Sequence, residues 1–305
     1  MSIGAKKLLL VGDNPFHGIS HLSQERVRDR GNGITTASCA AGLVATSVKS
    51  GANGFMFSVS DTTLSVLRML KSPKSRPLDL YALVPYAYEY VRLATHAGGL
   101  SGLFKQFAGQ IAFSGNFKAA ALGLKGILTT DLQELIKAYL AYEISRIKSS
   151  AKKNGILRSV LLHEIITDMS LALNIDWLFR SHVEFISEFG IIPGFETRNF
   201  SYLVRKFKEW DIDFSKILIA TPFNKIGFQM NPSKAECEKA LKEISDSNIV
   251  AMSILAAGYL KVSEAVEYMD CLPSIKGVVV GISNEKHATE TFSFLRNRVL
   301  NKSCL

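Results

Sequence analysis

The chain has only four cysteines in 305 residues, Cys39, Cys237, Cys271 and Cys304, and no two of them form a CxxC pair. That scatter excludes a cysteine-built zinc site and a disulfide framework, and it fits a reducing cytoplasm. No run reaches the ~18–20 uninterrupted apolar residues of a membrane span. The apolar stretch near Leu8 is short and runs directly into Asp13-Asn14-Pro15, so it reads as a first core strand rather than a secretion signal. No low-complexity linker divides the chain, and one domain over residues 1–305 is expected. Acidic residues are missing altogether from Val91 to Thr130.

What is present is a phase that repeats eight times. Short aliphatic or β-branched runs at residues 8–12, 54–59, 80–85, 159–163, 191–195, 216–221, 249–254 and 277–281 end in polar residues, and helix-length amphipathic segments follow. Strands alternating with helices imply parallel pairing and right-handed crossovers. Eight units match a closed (β/α)₈ TIM barrel, which uses about 250 residues and carries its chemistry at the C-terminal strand ends. Thr130-Asp-Leu-Gln133 and Ser233-Lys-Ala-Glu236 read as capping boxes that open two of the helices.

The formal net charge is +9. Most basic residues alternate with acids on expected helices, and no recognition motif accompanies them, so nucleic acid is disfavoured and a small anionic metabolite is the expected partner. The acid-free segment after strand 3, about 91–130, combines glycines, Phe104, Phe107, Phe113 and Phe117 with scattered lysines. Three roles suit it: extra core on the barrel, a glycine-hinged lid over the site, or a basic amphipathic surface that touches membrane. Oligomeric state is not legible.

Polar groups collect at the strand ends. Strand 1 delivers Asp13 and His17, strand 2 Asp61, strand 3 Tyr86 and Tyr88, strand 4 His163 and Glu164, strand 5 Glu196 and Arg198, and strand 6 Asn224, Lys225 and Gln229. His163 suits a general acid/base or electrophile because imidazole titrates near neutral pH, and Glu196 has the same standing. Asp13, His17, His21, His163 and Glu196 could supply a divalent metal, although loop histidines bonded to backbone are the preferred reading. Lys225 suits phosphate or carboxylate binding better than a Schiff base, because it lies several residues past its strand. Gly258 after strand 7 and Gly281 after strand 8 let backbone approach a ligand, while Ser283 or Asn284 can cap a helix whose N-terminus attracts phosphate.

The stretches Val250-Ala-Met-Ser-Ile-Leu-Ala-Ala-Gly-Tyr-Leu260, Val262-Ser-Glu-Ala-Val-Glu-Tyr268 and Val278-Val-Val-Gly-Ile-Ser-Asn-Glu-Lys-His287, together with Leu161-Leu162-His163, resemble divergent aldo/keto reductases. The resemblance implies a (β/α)₈ enzyme that holds NADP(H) near strands 7 and 8. It further implies that Asp61 matches the family's aspartate after strand 2 and His163 its strand-4 histidine. No tyrosine follows Asp61 closely and strand 3 has no lysine, so Tyr86 or Tyr88 would have to supply the proton. The expectation is an NADP-dependent carbonyl/alcohol oxidoreductase acting on a small anionic or phosphorylated molecule. A cofactor-independent lyase, aldolase or isomerase and a non-catalytic ligand-binding barrel are the alternatives.

Overall fold

The computed structural model describes residues 7–17, 36–70, 76–85, 131–244, 246–272 and 274–300. Eight strands pair in parallel and in sequence order, and β1 closes on β8 to complete the barrel. They are β1 Leu8–Gly12, β2 Gly54–Ser58, β3 Leu78–Val84, β4 Gly155–Leu162, β5 Ile192–Glu196, β6 Leu218–Pro222, β7 Asn248–Met252 and β8 Ile275–Gly281. The described helices are α1 Ala37–Ser50, α2 Asp61–Met69, α3 Leu132–Ala151, α4 Glu164–Ala172, α5 Asp176–Glu188, α6 Phe200–Glu209, α7 Lys234–Lys242, α8 Val262–Asp270 and α9 Glu285–Leu295. Among the described residues no helix is long and apolar enough to cross a membrane.

Side chains alternate across each strand, which splits the core into two layers. Leu8, Leu10, Met56, Tyr81, Leu83, Leu161, Ile192, Leu218 and Val250 fill the barrel interior. Their neighbours Leu9, Val11, Phe55, Phe57, Val160, Leu162, Phe195 and Ile219 face outward onto the helices. Helix α6 shows the complementary pattern: Phe200, Leu203, Val204 and Phe207 are buried at the spacing of one helical face. Phe207 meets Phe195 edge-on at 5.1 Å between ring centroids, which anchors α6 against β5.

The same alternation aims the site. On β5, Ile192 faces inward, so Gly194 and Glu196 share its direction. A side chain at 194 would collide with Leu161 Cγ at 2.6 Å and crowd the Leu218 carbonyl at 3.0 Å. The layer beneath Glu196 is therefore full, and its carboxyl sits at the barrel's C-terminal mouth.

Helix starts differ in detail from the sequence expectation. Helix α3 is capped by Asp131, whose carboxylate accepts from the Gln133 and Glu134 amides, because an ionised oxygen is the stronger acceptor at a helix N-terminus. Thr130 lies outside the described residues. Ser233 caps α7 as expected, accepting from Glu236 N–H at 3.2 Å. Tyr86, Tyr88, His21 and the whole 91–130 insertion also lie outside the described residues.

Candidate active site

The C-terminal ends of the strands enclose a cavity of about 340 Å³. Its floor is apolar, built from the inward residues Met56, Leu83 and Val279. Three polar walls rise from it: Gly12, Asp13 and Asn14 after β1; Glu164, Glu196 and Arg198 after β4 and β5; and Ser253, Gly258, Gly281, Ser283 and His287 after β7 and β8. Such a bowl, mostly apolar with a few converging polar groups, is the usual form of a small-molecule site.

Glu196 is the central titratable group. It is buried, and its Oε2 accepts the Glu164 amide at 3.2 Å. Its other oxygen has no protein partner among the described residues. Loss of hydration pushes its pKa up to about 7, with the charges of Asp13 and Asp168 adding to the effect against the Glu164 amide and Arg198. The carboxyl therefore exchanges a proton near neutral pH, the condition for general acid–base work.

Residue 164 ties Glu196 to Arg198. The Glu164 amide holds Glu196, while its carboxylate takes Arg198 Nε at 2.5 Å. Burial, followed by the neighbouring Glu196 charge, raises the Glu164 pKa above the ordinary carboxylate range. Asp168 on α4 fastens the other side of this loop. It accepts from Thr197 Oγ1 at 2.5 Å, from Arg198 N–H at 3.2 Å and from Asn199 Nδ2 at 2.9 Å. Thr197, Arg198 and Asn199, the three residues that follow Glu196, are thereby held by one carboxylate. Replacing Asp168 by alanine leaves three donors without their acceptor. It is expected to lower unfolding free energy by about 2 kcal/mol in urea titration. It should also shift the Glu196 titration downward, because a neighbouring negative charge is lost.

Asp13 is buried and bonded: its Oδ2 accepts the Ser58 amide at 2.7 Å and lies 3.0 Å from His17 Nε2. His163 caps α4, with Nδ1 accepting from Ile165 N–H at 3.2 Å. That bond leaves the proton on Nε2. Burial lowers the pKa of the ring, so the imidazole is neutral and can serve only as a donor through Nε2.

Of the residues singled out in the sequence, the cavity wall brings together Asp13, Glu196, Gly258, Gly281 and Ser283. His163 stands immediately behind that wall, at Glu164. Four others serve elsewhere. The Asp61 side chain is 85% exposed and pairs with Arg146 at 2.7 Å, away from the mouth. Asn224 is buried and closes its own loop, accepting from Phe228 N–H at 2.7 Å and donating to Phe228 O at 2.8 Å. Lys225 is exposed, and its carbonyl accepts from Lys234 Nζ. Asn284 caps α9 through the His287 amide at 2.8 Å, the capping role the sequence offered it. Among the described residues no group of three or more His, Cys, Asp or Glu is placed to hold a metal. Asp13 and His163 already use side-chain atoms on backbone amides, which argues against the metal set considered from sequence. Sequence reasoning passed over Asp168, although the one charged residue in Ile165-Ile-Thr-Asp-Met-Ser-Leu171 was a usable signal.

No protein-family model and no curated protein matches the chain. Among solved structures, the fold is similar to a Pseudomonas aeruginosa protein assigned as an aldo-keto reductase. The TM-score is 0.56 at 14% identity, over 95% of this chain and 90% of that one. It is also similar to an aldo-keto reductase from Bacillus halodurans in its holo form, with a TM-score of 0.51 at 12% identity over 85% of this chain and 82% of that one. At this level of identity the likeness is one of fold: these proteins share the eight-stranded parallel barrel.

Proposed function

We propose that the protein is an NADP-dependent carbonyl/alcohol oxidoreductase acting on a small anionic substrate. The observation that carries this reading is a cavity in which two of the walls differ chemically. One holds a carboxyl that exchanges its proton near pH 7; the other is made of small residues and hydrogen-bond donors.

The second wall fits the phosphates of a nicotinamide dinucleotide. After β7, Ser253, Ala256, Ala257 and Gly258 all have positive φ, which coils the loop tightly behind small side chains. A Cβ on Gly281 would lie 3.0 Å from Pro15 Cδ, so a larger side chain there crowds the loop after β1. Ser283 and His287 line the same wall at the start of α9, where backbone amides favour an anion. Gly258, Gly281, Ser283 and His287 are the residues that would hold the cofactor. When bound, such a cofactor supplies or accepts a hydride at a carbonyl carbon.

The chain's own residues handle the proton and the polarity. Glu196 holds a proton for the substrate oxygen and retrieves it in the reverse direction. The Glu164 amide fixes the orientation of that carboxyl. Arg198 brings donor hydrogens to the cavity wall and favours negative charge on oxygen. Met56, Leu83 and Val279 form an apolar floor, which strengthens each polar contact above it.

Titrating the protein with NADPH and NADH while following nicotinamide fluorescence tests the reading. Saturable binding, tighter for NADPH and weakened by Gly281→Val, is the expected outcome. Absence of binding to either at millimolar cofactor would remove it. A second reading, a cofactor-independent isomerase or lyase, draws on one observation: the described cavity wall contains neither lysine nor tyrosine, and a carboxyl such as Glu196 also suits proton abstraction next to a carbonyl. Exchange of substrate α-hydrogen for solvent deuterium without cofactor would select that alternative.

A further inference from the structure

We infer that Arg198 is the substrate-recognition group and that the substrate it selects is a 2-oxo or 2-hydroxy carboxylate. The inference deepens the oxidoreductase reading by naming its substrate class, and its recognition half is measurable without any cofactor.

Arg198 lines the cavity with its side chain 30% exposed. Its Nε is committed to Glu164 and its backbone amide to Asp168. Among the described residues neither terminal guanidinium nitrogen has a hydrogen-bond partner. A guanidinium held at Nε, on a residue that lines the cavity, keeps both terminal nitrogens for a ligand and matches a carboxylate in fork geometry.

The spacing of the neighbouring acid narrows the class further. Arg198 and Glu196 hang on the same residue, one through the Glu164 carboxylate and the other through its amide. Two substrate groups that meet them would therefore fall at the same end of the substrate. A carboxylate on Arg198 with an oxygen on the adjacent carbon, facing the open oxygen of Glu196, satisfies both.

Several carboxyls face the fork, and hydrogen-bond donors hold each of them. The groups facing it are Asp13 after β1, His163 and Glu164 after β4, Asp168 on α4 and Glu196 on β5. Glu164 is matched by Arg198 itself. Asp168 is held by three donors, and Asp13 by the Ser58 amide and His17. Glu196 is the group that titrates near neutrality, so the site accepts a carboxylate best while Glu196 retains its proton. Affinity should fall as pH rises above 7.

Isothermal titration of the cofactor-free protein with pyruvate and with methyl pyruvate tests this. Pyruvate is expected to bind at least about tenfold more tightly than the ester, with affinity decreasing from pH 6 to pH 9. Arg198→Gln should erase the preference and Arg198→Lys should retain part of it; unchanged thermal unfolding of the lysine variant guards against a folding artefact. Equal binding of acid and ester, no pyruvate binding at tens of millimolar, or a preference that survives Arg198→Gln would each overturn the inference. Because these measurements need no nicotinamide, failure here leaves the NADPH titration standing, and failure of that titration leaves this result standing.

Discussion

Replacing Glu196 by glutamine is expected to lower carbonyl turnover by about 10²–10⁴-fold, the usual contribution of a positioned acid or base. Glutamine keeps the shape and can still accept the Glu164 amide through its oxygen, so the loss isolates the proton. On the proposed oxidoreductase reading, reduction needs the protonated carboxyl and alcohol oxidation the ionised one. With the group titrating at about 7, reduction should fall and oxidation rise as pH increases through that value. Steady-state rates in both directions from pH 5 to 9 check this, and Glu196→Gln should flatten both limbs. A variant that keeps more than a tenth of the wild-type rate would remove Glu196 from the chemistry.

The same substitution is expected to make the protein more stable at alkaline pH. A carboxyl whose folded pKa lies above its unfolded value favours folding fully below the unfolded value and loses that contribution as pH rises through the folded one. For Glu196 the window runs from the ordinary value of 4.5 to about 7. At roughly 1.4 kcal/mol per unit, ionising the buried group costs about 3 kcal/mol above pH 7. Glutamine avoids that cost, so urea unfolding at pH 8.5 should show Glu196→Gln more stable by up to about 3 kcal/mol, with no gain at pH 4. Opposite effects on turnover and stability are the signature of a group held ionisable for function in a site that disfavours its charge.

The barrel was legible because eight apolar runs recur in phase, and all eight are strands. β3 and β4 begin before their apolar runs, at Leu78 and Gly155. There Asp79 and Arg158 break the apolar pattern, yet they pair across neighbouring strands at 2.7 Å, so the sheet continues through charged residues. Glu196 and Asp13 stood out as polar residues at strand ends. The bonds that organise them did not, because Arg198 to Glu164 and Thr197 to Asp168 span 34 and 29 residues and exist only once β4 and β5 are side by side. Asn224 misled for the opposite reason. It sits at a strand end like a ligand group, but its hydrogen bonds close a turn within five residues. Asp61 opens a helix at the correct end of β2, where the helical direction carries its side chain outward to Arg146 rather than inward.

The central claim is that burial at the barrel mouth keeps a proton on Glu196 close to neutrality. Carbon-13 NMR of the glutamate carboxyl carbons through a pH titration, with the resonance assigned by its loss in Glu196→Gln, measures this directly. The account predicts a midpoint near 7 for that one resonance. A midpoint near 4.5, where an ordinary glutamate titrates, would contradict it.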